Sequence, residues 1–223
     1  MIEGERSPSR TGLIAWVAVA AVLVALGFVG TSTGQTDPEV LYEYSFATGS
    51  IVIYAILVGI TLLIGRSYRD TFAALGLRSF SWSWIGRAVG LIVLVLALGA
   101  ALEPLLHASE KQGFSPDTWR PDRAGAFALN AVVASTVVPF AEELFFRGLG
   151  VRALLPLGSA AAVVVTAIAF GLGHGLLVAL PVLVPFGLAL GWVRWRSDSV
   201  WPGVVAHGSY NGIALLVLYA TLS

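Results

Sequence analysis

The sequence predicts an all-α fold, a polytopic bundle of about seven transmembrane helices with a broken or re-entrant segment in its C-terminal half. Two observations carry this. Of the 223 residues, 57% are hydrophobic and 12% charged, and the mean hydropathy is +0.84, outside the range of soluble globular domains. Apolar runs near the length needed to cross a bilayer recur along the whole chain.

The first apolar run, residues 13–30, follows a polar stretch carrying Glu3, Glu5, Arg6 and Arg10. Its apolar core exceeds the roughly 7 to 15 residues of a signal peptide, so it is expected to be a retained helix. Residues 31–44 hold Asp37, Glu39 and Glu43 without Lys or Arg and read as a non-cytoplasmic loop. A second span covers residues 46–65. The stretch 66–87 mixes Arg66, Arg69, Arg78 and Arg87 with Phe72, Phe80, Trp82 and Trp84, a pattern suited to the headgroup level. Further spans are expected at residues 84–106, 124–146, 159–173, 176–193 and 200–222, with a polar linker at 107–123.

The basic residues orient this layout. With the N-terminus inside, Arg6, Arg10, Arg66, Arg69, Arg78, Arg87, Arg147, Arg152, Arg194 and Arg196 fall on the cytoplasmic side, against Lys111, Arg120 and Arg123 outside. Gly86-x-x-x-Gly90, Gly187-x-x-x-Gly191 and Gly208-x-x-x-Gly212 are candidate sites of close helix approach.

Composition also limits function. Net charge is zero, so no nucleic-acid partner is expected. Cysteine is absent, which removes disulfides, thiol catalysis and Cys-type zinc sites. The one Lys against twelve Arg, with abundant Ala, Val and Gly, suggests a GC-rich prokaryotic genome.

Against this background the segment around Glu142, Glu143 and Arg147 stands out, because ionisable groups within a span are costly and mark functional sites. Glu143 and Arg147 are four apart and share a helix face, so their pair is self-contained and reads as a brace. Glu142 lies about 100° away and is left to face something else. Two later pairs, Phe170 with His174 and His207 with Asn211, are again one helical turn apart.

Glu142 and His174 can together hold and deprotonate a water, and His207 with Asn211 supplies hydrogen-bond donors for an oxyanion. These are the parts of a peptide-bond hydrolase with water as nucleophile. A zinc ion on Glu142, His174 and His207 is the competing reading, less favoured because no His-Glu-x-x-His motif is present. No cofactor is expected.

In this order on successive helices, Glu142-Glu143-x-x-x-Arg147, Phe170-x-x-x-His174 and His207-x-x-x-Asn211 resemble the motifs of the CPBP family, the CAAX prenyl proteases and their bacteriocin-processing relatives. The resemblance spans about residues 124–218. It implies a glutamate-dependent, metal-independent intramembrane endopeptidase in which Glu142 and His174 activate water and His207 and Asn211 form the oxyanion hole. Glu143, Arg147 and Phe170 would support them. It divides the single membrane domain into N-terminal helices with an interfacial segment, residues 1–123, and a catalytic core, residues 124–223. The implied partners are the lipid bilayer and a membrane-associated peptide or protein substrate, in a prokaryotic cell membrane. Relatives without proteolytic roles supply the alternative, a non-catalytic protein serving bacteriocin immunity or regulating a membrane partner.

One difficulty follows from the layout. If residues 159–173 cross the membrane simply, His174 ends on the far side from Glu142. A break or re-entrant segment is therefore expected between residues 151 and 185.

Overall fold

A computed structural model describes residues 10–32, 37–108, 116 and 118–222, and these contain helices and turns but no strand. The helices are α1 (Arg10–Ser32), α2 (Tyr44–Gly65), the single turn α3 (Thr71–Ala74), α4 (Ser83–Leu106) and α5 (Ala124–Glu142). α5 runs without interruption into a π-helical segment, Glu143–Gly150, and then α6 (Val151–Leu154). α7 (Ser159–Gly173), α8 (Leu180–Ser197) and α9 (Trp201–Leu222) complete the bundle.

Six of these helical stretches are long and apolar enough to cross a membrane, and α7 is a shorter apolar helix. The protein is an integral membrane protein. Its outer faces are those of helices solvated by lipid. On α4, Ala88, Ile92 and Val95 form a buried stripe at helical spacing while Val89, Val93 and Leu94 point outward. The π segment, every residue of which is buried, carries an interior acid and base, Glu143 and Arg147.

Two clamps fix the ends of the bundle. At one end the turn between α8 and α9 is tied to the chain after α3: Arg78 meets Asp198 at 2.6 Å, Arg194 meets it at 3.0 Å, and the Val200 amide donates to Gly76 O at 2.9 Å. Gly76 has φ +72°, and an added Cβ there would meet the Arg194 guanidinium. At the other end Tyr42, Trp119, Phe127 and Tyr219 pack ring against ring, the closest pair being Trp119 and Tyr219 at 4.8 Å. Asn130 caps this side by donating to the carbonyls of Leu41 and Glu43.

The structure corrects the span expected to end near residue 146. Helix continues to Leu154, and a 3₁₀ turn (Leu155–Leu157) and Gly158, at φ +97°, then reverse the chain. The expected break after residue 151 takes the form of two turns. α7 has 15 residues, about 22 Å of rise, short of a bilayer core of about 30 Å. It ends at Gly173, and Gly175, at φ +67°, turns the chain toward α8.

Of the three small-residue pairs, two bring helices together. Gly187 and Gly191 of α8 face Ala167 and Val163 of α7, and Gly208 and Gly212 of α9 face Ser135 of α5. Gly86 and Gly90 face open space, so the expectation of a close approach there was wrong. Their spacing repeats a packing motif, but the face that carries it looks outward.

Candidate active site

The site begins at a proline. Pro139 lies inside α5 and has no amide hydrogen to give the carbonyl of Ser135 four residues earlier. Gly208 of α9 sits against that freed oxygen, where any Cβ would collide with it. Four residues after Pro139 the helix widens into the π segment, an irregularity found mostly at functional positions.

Within that segment Glu143 and Arg147 are fully buried and paired, Nη1 to Oε1 at 3.0 Å. The guanidinium also lies 4.3 Å over the Phe170 ring and donates to Gly187 O at 3.4 Å. The cation is therefore held by a carboxylate, an aromatic face and a backbone carbonyl, which is what a charge removed from water requires.

His174 reaches this cluster by hairpin register. Gly158 is the midpoint between Glu142 and His174, sixteen residues from each, so an antiparallel hairpin turning there sets them at one level. The pairing is visible one turn nearer the bend, where the Phe146 and Phe170 rings meet at 5.5 Å. Gly148 packs against Leu75 O, and the hairpin of residues 151–159 extends past that level. This disposes of the difficulty with a simple crossing: α7 starts after the turn at Gly158 and returns to the level of Glu142 in fifteen residues. His174 Nδ1 lies 2.9 Å from Phe170 O. A carbonyl only accepts, so Nδ1 carries the hydrogen and a neutral ring presents a bare Nε2. The turn that follows is seated on α1, where Gly27 touches the Gly173 carbonyl and Thr31 Oγ1 donates to Gly175 O at 2.9 Å.

α9 supplies the remaining residues. His207 is buried with Nδ1 3.2 Å from Glu143 Oε1 and Nε2 3.7 Å from Glu142 Oε2. Its ring packs edge-on against Phe170, 5.7 Å away, and Phe186, 5.0 Å away. Phe170 thus touches His174, His207 and Arg147 at once. Asn211, half-buried one turn further, donates from Nδ2 to Ala134 O at 2.9 Å. Ala134 lies eight residues before Glu142, about 12 Å along α5.

Residues 124–213 match the family model described as type II CAAX prenyl endopeptidase, Rce1-like. Over these residues the chain is similar to the Rce1-like family. No curated protein and no solved structure matches it. The match begins with α5 and ends within α9, so it takes in all three motifs, and the likeness is to endopeptidases of the CAAX prenyl type.

The structure of the Rce1-like chain gathers Glu142, Glu143, Arg147, Phe170 and His207 through direct contacts, and joins His174 to them through Phe170. Asn211 is anchored on the backbone of α5 instead, with one of its two amide hydrogens in use. Among the described residues no group of three or more His, Asp or Glu side chains is arranged to hold a metal ion.

One residue escaped the sequence reading. Tyr54 of α2, half-buried, donates its hydroxyl to Glu142 Oε1 at 3.0 Å. The available signal was a phenol in the middle of the aliphatic run from Ile51 to Val58, since a tyrosine inside a span needs a partner for its hydroxyl.

Proposed function

We propose that this Rce1-like protein hydrolyses a peptide bond of a membrane-associated peptide or protein, using water activated by Glu142. The observation that carries the reading is the pair of adjacent carboxylates, one buried and one partly exposed, with different surroundings. Glu143 is fully enclosed, with Arg147 and His207 both on its Oε1 and its Oε2 buried without a partner among the described residues, whereas Glu142 is 12% exposed at its side chain and keeps Oε2 within reach of water. Glu142 takes a proton from water, and the hydroxide oxygen bonds to the substrate carbonyl carbon. His174, at the same level with Nε2 turned to accept, holds that water. The oxyanion is met by His207 and by the second amide hydrogen of Asn211. For His207 this has a condition. Nδ1 already donates to Glu143, so Nε2 donates only from the imidazolium. The C–N bond then breaks as the leaving nitrogen takes the proton from Glu142.

In this reading no metal takes part, residues 124–223 are the catalytic core, and residues 1–123 add the helices that cover it. The N-terminus lies in the cytoplasm of a prokaryotic cell. Glu142 is then about 9 Å in from the level of Gly148 and Leu75, and His207 about 9 Å in from the start of α9, so substrate enters from the cytoplasmic leaflet. The experiment is a comparison of membrane-associated peptides in cells carrying wild type or Glu142→Ala. Uncleaved precursors should accumulate in the variant. Unchanged peptides and an unchanged cellular phenotype, with Glu142→Ala inserted and folded, would favour a non-catalytic immunity or regulatory role.

A further inference from the structure

We infer that Tyr54 is a positioning residue for the hydrolysis, fixing the Glu142 carboxylate so that Oε2 is the oxygen that takes the proton from water. The inference rests on the peptidase reading of the site. Its physical basis is the difference between the two glutamates. Glu143 is fully buried, held at Oε1 by both Arg147 at 3.0 Å and His207 at 3.2 Å, with its Oε2 enclosed against Gly203. Glu142 has one short hydrogen bond, from the Tyr54 hydroxyl to Oε1 at 3.0 Å, while its Oε2 stands 3.7 Å from His207 Nε2.

A glutamate side chain turns about three torsions, and with only 12% exposure Glu142 has little bulk water to orient it. The phenol therefore decides which oxygen faces the reacting water. It occupies Oε1 as a donor, since a carboxylate oxygen only accepts. The water proton is left to Oε2, on the side of His207, and passes from there to the leaving nitrogen as the C–N bond breaks. Tyr54 belongs to α2, outside residues 124–213, so the matched core receives the residue that aims its base from the N-terminal half of the chain.

The test uses purified full-length protein in nanodiscs and an internally quenched, farnesylated peptide of the CAAX type. Tyr54→Phe keeps the ring and removes the donor. It should lower kcat roughly tenfold with KM within about twofold, as loss of one hydrogen bond to a charged group does. 3-Fluorotyrosine at position 54, which restores a donor, should restore kcat. A folded Tyr54→Phe protein with wild-type kcat, or a fluorotyrosine protein as slow as the Phe variant, overturns the inference. A second arm needs no turnover and so separates this inference from the peptidase reading. The infrared carboxylate band that Glu142→Gln removes should be displaced in Tyr54→Phe. If that band is the same with and without the phenol, Tyr54 does not position Glu142, whether or not the protein cleaves the peptide.

Discussion

His207 Nδ1 lies 3.2 Å from Glu143 Oε1, so the carboxylate that braces Arg147 also holds an imidazole of the candidate site. A brace alone would leave chemistry untouched when weakened. Arg147→Met should therefore destabilise the protein by about 3 to 5 kcal/mol, because it strands the fully buried Glu143. Glu143→Gln should lower stability and turnover together, since it frees both Arg147 and His207. Thermal unfolding in detergent, beside peptide cleavage, checks both. An Arg147→Met protein of normal stability but no activity would assign Arg147 to the chemistry.

The seat of His174 on α1 gives a second expectation. Gly27 touches the carbonyl of Gly173 and the amide of Gly175, leaving no room for a side chain. Gly27→Leu should cost about 1 to 3 kcal/mol through overpacking and should lower activity by displacing the turn that carries His174. Gly59→Leu, where an added Cβ meets open space, should do neither. Melting temperatures of the two variants decide the point.

How much of this was legible in the sequence differs by residue. Glu143 with Arg147, and Phe170 with His174, are local pairs at one-turn spacing, and the helix delivers both as read. The depth of His174 was not legible, because it depends on where the hairpin turns. Arg147 and Arg152 looked like the end of a span, yet Arg147 is fully buried and the helix runs on to Leu154. Burial of a charge against Phe170 is a tertiary fact that a hydropathy count cannot contain. Tyr54 was missed for the same reason: its partner is 88 residues away.

Asn211 separates two roles. As a donor to Ala134 O it ties α9 to α5, and in the proposed mechanism it also donates to the oxyanion. Asn211→Ala should lower kcat by about 10² to 10³ while costing only about 1 kcal/mol of stability. Steady-state kinetics with a melting curve resolve this, and a variant that is unstable yet fully active would make Asn211 a helix tie alone.

Orientation is open to direct mapping, because the chain has no cysteine of its own. Trp82, 80% exposed just before α4, and Leu105, 77% exposed near its end, report the two faces of the bundle. Trp82→Cys should react with an impermeant maleimide only after the cytoplasmic side is opened, and Leu105→Cys in intact cells. The reverse pattern would invert the topology and the side from which substrate enters.

The most direct test of the account is the rate at which purified protein cleaves a membrane-associated peptide with Glu142 or Gln at that position, each folded and each treated with a metal chelator. Glu142→Gln keeps the shape and an acceptor for Tyr54 while removing the base. Wild type should remain active in chelator and the variant should lose about 10² to 10⁴ of kcat with an unchanged melting temperature. A folded Glu142→Gln protein that cleaves at the wild-type rate would contradict water activation by Glu142.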